Sequence, residues 1–267
     1  MSKNKKILLM TLAVMLFALI LGVFRTYLLV NYIEQDTGFY KVGTNIGQVF
    51  KLICIAFCAL VFVVSLTLRK VNAPENLTSQ STSVVFSSSL CGFVFLTVFG
   101  CGIYNMIAGR TTDIFTQIAI LLCIPVAANF FLICAREQRK KNVSQTVIAM
   151  FPVIFYAVRI IGTFVDSTTQ INSSQRSLKL VVMCAIMLMF LYEAEYMIPK
   201  NEQKQRSVAK HYAFCLFSYS FALISVVPYI LACALWFYQT QFLLMDILDA
   251  CVGVYALTRA VTLVKEK

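Results

Sequence analysis

Eight apolar runs, roughly 7–30, 46–68, 84–108, 114–135, 146–165, 178–198, 212–237 and 241–262, follow one another with only short polar stretches between them. A helix needs about 20 mostly apolar residues to cross the hydrocarbon core of a bilayer, and each run is long enough. In lipid no water takes the backbone N–H and C=O groups, so a spanning segment must satisfy them itself, and runs of this length do so as helices. The expected fold is therefore all-α: a polytopic transmembrane helical bundle of about eight spans, one transmembrane domain over residues 1–267. Composition points the same way. Hydrophobic residues make up 60% of the 267 and charged ones 13%, against about one quarter charged in soluble domains. A soluble globular protein is excluded, and the sequence leaves no room for a soluble catalytic domain.

The net charge of +11 raises the question of nucleic acid. Most of the basic residues, however, sit in short clusters between apolar runs rather than on one amphipathic face, the pattern of positive-inside anchors. Lys3, Lys5, Lys6, Arg69, Lys70, Arg136, Arg139, Lys140, Lys141, Lys200, Lys204, Arg206, Lys210, Lys265 and Lys267 fall on one side of an eight-span path. The loops of the other side hold only Lys41, Arg110 and Arg176. The expectation is a multi-pass protein of the cell membrane with both termini cytoplasmic. Its partner is the lipid bilayer, a further membrane or cytoplasmic protein is an open alternative, and no nucleic acid is expected. The first run, after a basic head, is longer than a signal-peptide core and lacks a small-residue cleavage pattern, so a retained signal anchor is expected. The weakest link is the turn at 238–241, which must reverse the chain between spans seven and eight.

A weaker pattern is an internal repeat of about 130 residues, of the parallel type that places sites between the halves of several transporter folds. Arg25 recurs as Arg159, Lys51 as Lys179, Asp113 as Asp246, and the basic tract from Arg136 as the tail from Lys265. That reading gives two parallel four-helix repeats, 1–141 and 142–267. Chance among widely spaced charges gives the same matches, and both explanations stand at this stage.

The stretch 36–40 (Asp-Thr-Gly-Phe-Tyr) after an arginine in the first span, the segment from Arg159 to Asp166, and 190–197 (Phe-Leu-Tyr-Glu-Ala-Glu-Tyr-Met) carry a resemblance. The chain resembles a group of uncharacterised multi-pass membrane proteins of Gram-positive anaerobic bacteria. The resemblance implies a bacterial plasma membrane and no particular activity.

Ionisable residues at bilayer depth cost roughly 2.5–3.5 kcal/mol each on insertion scales and are functional candidates by default. Asp246 and Asp249 lie about 5 and 8 residues into span eight and share a helical face, which continues through Ala250, Gly253 and Ala260, small enough for a neighbouring helix to approach. Arg159, in span five, reaches a comparable depth of roughly 10 Å below the same surface. The expected arrangement is an Arg159–Asp246 ion pair, leaving Asp249 to carry a proton or bind a cation; a purely structural pair joining spans five and eight is the alternative. Arg25 and Asp113 form the corresponding candidate structural pair in the first half. Glu193 and Glu195, two apart, face different directions and read as ion-pair partners at the membrane surface, with Tyr192 and Tyr196 in an aromatic belt. Pro125, Pro152 and Pro228 lie within spans. Pro228, behind Ser218, Ser220 and Ser225, is the most suggestive of a kink beside a cavity. The spacing of Ser88 and Gly92 marks a helix contact.

Catalytic motifs are absent. The single histidine, His211, at the mouth of span seven, supports neither H-E-x-x-H zinc chemistry nor a histidine relay across the membrane, and neither a phosphate-binding loop nor a nucleophile elbow is present. The cysteines lie in apolar runs without a C-x-x-C pair and read as small hydrophobes. No enzyme, no cofactor and no metal site is expected. Two functions remain: a small transporter or permease-like subunit with a charged site between two four-helix halves, or a non-transporting membrane scaffold, sensor or assembly subunit held by a structural Arg–Asp pair. Without a nucleotide-binding motif, ATP-driven transport would need a separate ATPase.

Overall fold

A computed structural model of the chain describes residues 3–34, 39–41, 43, 45–68, 81–110, 113–135, 143–166, 173–197, 208–234 and 243–265. The clusters at 69–70, 136–141 and 199–206, and the reversing turn at 238–241, lie outside the described residues. The helices are α1 (Lys3–Asn31), α2 (Ile46–Leu66), α3 (Thr82–Ile107), α4 (Ile114–Cys134), α5 (Val143–Val165), α6 (Ser174–Met197), α7 (Val208–Phe221), α8 (Val227–Ala234) and α9 (Leu243–Lys265). A π-helical turn, Ala222–Val226, joins α7 to α8 without a break. Among the described residues seven helices are long and apolar enough to cross a membrane, which makes this a polytopic all-α membrane bundle. The eighth rod, 208–234, follows the same course but is divided by the π turn.

Local chemistry sets the breaks. Gly109, at φ +66°, ends α3; its N–H bonds to Met106 and that of Arg110 to Asn105, the double closure that favours a left-handed glycine after a helix. Asp113 then starts α4, its carboxylate accepting from the N–H groups of Phe115 and Thr116 at 3.4 and 2.7 Å, which satisfies two of the donors that a helix start leaves open. Pro228 accounts for the π turn. In a regular helix residue 228 would donate to the carbonyl of Ile224, but proline has no N–H and its ring crowds that oxygen. The turn takes in one extra residue, and Val227 N–H reaches back to Ala222 instead, so the ladder steps around the proline.

The helices alternate in direction. At the end where α1 begins, Thr11 meets Tyr212 at 2.6 Å, Ser87 meets Thr258 at 2.8 Å and Ser89 meets Cys134 at 3.1 Å, joining the starts of α1, α3 and α7 to the ends of α4 and α9. We call this the basic end, after the Lys and Arg clusters next to these helix ends in the sequence. At the opposite end Arg25 meets Ser174 at 3.0 Å and Lys179 meets Asp246 at 2.7 Å. Around the bundle α3, α4, α5, α6, α7 and α9 pack in succession, and α9 closes onto α3. α1 lies against the π turn and α8, and α2 against α7. Among the described residues α2 packs on α7 and α1, and α6 on α5 and α7.

Lipid tails are as apolar as leucine, so close van der Waals fit rather than hydrophobic exclusion holds such helices together. Glycines provide that fit at the α7–α9 and α3–α4 seams. A Cβ on Gly253 would stand 2.7 Å from that of Ala222 in the π turn, and one on Gly92 would meet the Phe131 ring at 2.9 Å. Of the seven spans α9 is the most enclosed: 61% of its apolar window is buried, against 28–44% for the other six. Asp249 and Tyr255 on it are completely buried.

Candidate functional site

Three acid–base contacts meet on the enclosed side of α9. Nearest the end opposite the basic one, Lys179 of α6 donates to Asp246 Oδ1 at 2.7 Å. One turn deeper, Arg159 of α5 holds Asp249 in a two-pronged grip, Nη1 to Oδ1 at 2.5 Å and Nη2 to Oδ2 at 2.9 Å, and the Tyr156 hydroxyl donates to Oδ1 at 3.0 Å. Towards the basic end, Glu193 Oε1 of α6 accepts from Tyr255 at 2.6 Å and from Arg259 Nη2 at 2.6 Å, while Arg259 Nε donates to the Tyr255 oxygen at 2.8 Å.

The second and third contacts share one composition: an arginine, a carboxylate and a tyrosine. In each, tyrosine and arginine sit three or four residues apart on one helix (Tyr156 and Arg159, Tyr255 and Arg259), so they project from the same face. In each the guanidinium also lies over its own tyrosine ring, at 5.3 and 5.4 Å, where the ring quadrupole attracts it. The carboxylate comes from another helix in both. α9 gives the acid to the first triad and the arginine and tyrosine to the second. Between them Tyr156 stacks on Phe190 at 6.2 Å and Phe190 on Tyr255 at 6.2 Å, with Phe130 edge-on to Phe190 and Tyr255. The two triads are thus separated by an aromatic plug.

The expected Arg159–Asp246 pair is corrected: Arg159 takes Asp249, and Asp246 takes Lys179. Depth explains the exchange. Arg159 lies six residues before the end of α5 and Asp249 six residues after the start of α9, each about 9 Å from that end at 1.5 Å per residue. Asp246, three residues nearer that end on α9, is one turn too shallow. Asp249 is accordingly matched, and it is not the spare carboxylate of the sequence reading. Arg25 and Asp113 are not brought together: Arg25 donates to Tyr40 at 2.6 Å and to Ser174 at 3.0 Å, and Asp113 caps α4. Tyr40 reaches Arg25 because the segment after α1 folds back through bonds between Glu34 and Phe39 and between Lys41 and Tyr32.

Glu193 is buried and Glu195 exposed, so the two do face different ways, but Glu193 points into the bundle rather than to the membrane surface. Of Tyr192 and Tyr196, expected in a belt, the first stacks on Phe214 and the second packs tilted against His211. Arg259 was missed by sequence reasoning because it falls inside a run counted as apolar. Its signal was a full charge about 24 Å along α9 from the helix start, four residues after a tyrosine. Arg176, near the start of α6, donates to the carbonyls of Thr163 and Phe164 at the end of α5, where a cation also complements the helix dipole. Among the described residues no group of three or more His, Cys, Asp or Glu is placed to hold a metal ion.

Each of the three contacts sums to zero charge, which is how ionised groups persist where desolvation is severe. No protein-family model matches this sequence, and comparison with curated proteins and with solved structures returns no match.

Proposed function

We propose that the chain is a small transporter or permease-like subunit of the cell membrane, whose working parts are the two Arg–carboxylate–Tyr triads on either side of the aromatic plug. The observation that carries this reading is the pair of triads joined by one helix. Buried ion pairs stabilise no better than well-packed apolar residues and often less, so a bundle that keeps two of them at depth is expected to use the charge. In each triad a substrate carboxylate can take the place of the protein's own acid, and a cation the place of the arginine. Release of one triad while the other stays closed opens one end at a time, and the π turn, seated on Gly22 of α1 and Gly253 of α9, gives α7 and α8 a place to hinge.

The test is flux. In liposomes with an encapsulated pH dye and an imposed pH gradient, the wild-type chain should dissipate the gradient, and Asp249→Asn should slow it by about tenfold or more, the scale of a lost charge-assisted contact. Equal rates for the two, or no protein-dependent rate, would argue against transport.

A scaffold, sensor or assembly role is favoured by a different observation: in the described structure each acid of the column has a protein partner already. Orientation is part of the proposal in either case. Tags at both termini and near Lys140 should be protected in intact cells, and a tag near Asn172 should be reachable from outside. Labelling of the C-terminus from outside would reverse the last span.

A further inference from the structure

Asp246 belongs to neither triad, and one of its two oxygens is unused. The residue is 2% exposed. Oδ1 accepts from Lys179 at 2.7 Å, while Oδ2 is buried without a hydrogen-bond partner. A buried carboxylate oxygen is costly to leave open. A second open atom comes from α6, the helix that supplies Lys179: Nε2 of Gln175 is likewise buried and unpartnered. Buried polar groups are ordinarily paired, so an acceptor and a donor left open at the same end of the bundle call for a reason.

Helix geometry relates the two. At 3.6 residues per turn Gln175 points about 40° from Lys179 and about 100° from Ser174, on the arc between them. Ser174 bonds to Arg25 of α1 and Lys179 to Asp246 of α9, and α1 and α9 pack on each other. Gln175 is therefore turned inward, between α1 and α9, on the same face of α6 as the lysine that holds Asp246. Lys179 has three N–H donors, one of which Asp246 takes. Its side chain is 31% exposed, five residues into α6 and so about 8 Å from the helix start. The group lies at the mouth of the bundle, opposite the basic end.

The charges select the ligand. An anion alone would meet the open oxygen of Asp246, and a cation alone would meet the ammonium of Lys179. A metal ion would find one carboxylate, because Asp249, the next acid on α9, is held by Arg159 and Tyr156. A molecule with both charges close together sets each beside its opposite.

We propose that Asp246, Lys179 and Gln175 bind a small zwitterion of the α-amino-acid class. Its ammonium group donates to Asp246 Oδ2, and its carboxylate accepts from Gln175 Nε2 and from Lys179. The Lys179–Asp246 contact persists, and no covalent bond is made or broken. The site is separate from both triads and stands whether or not the chain carries its ligand across the membrane.

The full chain in lipid nanodiscs, titrated calorimetrically with glycine, alanine and serine up to about 10 mM, should bind at least one of them saturably. Acetate and methylammonium, each with one of the two charges, should bind about tenfold more weakly or worse, the scale of one charge-assisted hydrogen bond. Gln175→Leu removes an open donor and breaks no contact, so it should fold as well as the wild type and bind about tenfold more weakly. With glutamine side-chain amides nitrogen-labelled, the Gln175 signal, assigned by its loss in Gln175→Leu, should move as the amino acid is added to the wild type. No saturable binding of any of the three, acetate or methylammonium bound as tightly as the amino acid, a Gln175 amide that does not move, or wild-type affinity in Gln175→Leu would each overturn the site.

Discussion

Arg159→Leu should destabilise the folded chain by about 3–5 kcal/mol, and Asp249→Leu by a similar amount, because each leaves the other charge buried without its counter-ion. Both side chains are almost fully enclosed, and the contact is two-pronged, so solvent screening offers little relief. Replacing both should recover most of the loss, since two leucines need no partner. Unfolding in detergent followed for the four members of the cycle reads the coupling directly. Interhelical hydrogen bonds in membranes average about 0.6 kcal/mol by the same kind of cycle. A coupling that small would mean that water reaches the pair and that the bundle is open at this level. The pairing makes a second distinction: Asp246→Leu should couple to Lys179 and only weakly to Arg159.

The basic-end triad should behave likewise. Arg259→Leu should cost about 3–5 kcal/mol, and adding Glu193→Leu should restore most of it. Tyr255→Phe, which removes one hydrogen bond to a charged group, should cost about 1.5–3 kcal/mol. Residues 249 and 259 are about 15 Å apart along α9, so the costs of the two triads should add within about 0.5 kcal/mol. A larger interaction would mean that the plug of Phe130, Phe190 and the two tyrosines passes strain from one to the other.

The bundle itself was legible because length and hydropathy act locally. The runs at 46–68 and 114–135 became α2 and α4 with their boundaries nearly unchanged, each ended by polar residues that cannot stay in lipid. Pro228 announced a break for an equally local reason, its missing N–H. Pairing across helices was not legible. One helical turn is about 5.4 Å, and a run boundary uncertain by two residues is enough to exchange Asp246 for Asp249 as the partner of Arg159. Glu193 was placed at the membrane surface by its nearness to a basic tract in sequence, while its position beside Phe190 and Ala194 on the inward face of α6 depends on where α9 lies. Arg259 depends on the same fact. The seam between α9 and α3 joins segments far apart in the chain, and no periodicity within either run reports it. The two four-helix repeats rest on matches between isolated charges, which say nothing of the packing around each of them.

The central claim is that the triads are kept for use and not merely for cohesion. The doubly apolar chain, Arg159→Leu with Asp249→Leu, separates the two because its fold should survive while its charge does not. Purified and reconstituted beside the wild type, with an encapsulated pH dye and the same imposed gradient, it should fold with near wild-type yield and show no flux above empty liposomes. Flux at the wild-type rate from that doubly apolar chain would contradict the account and leave the pair as internal glue.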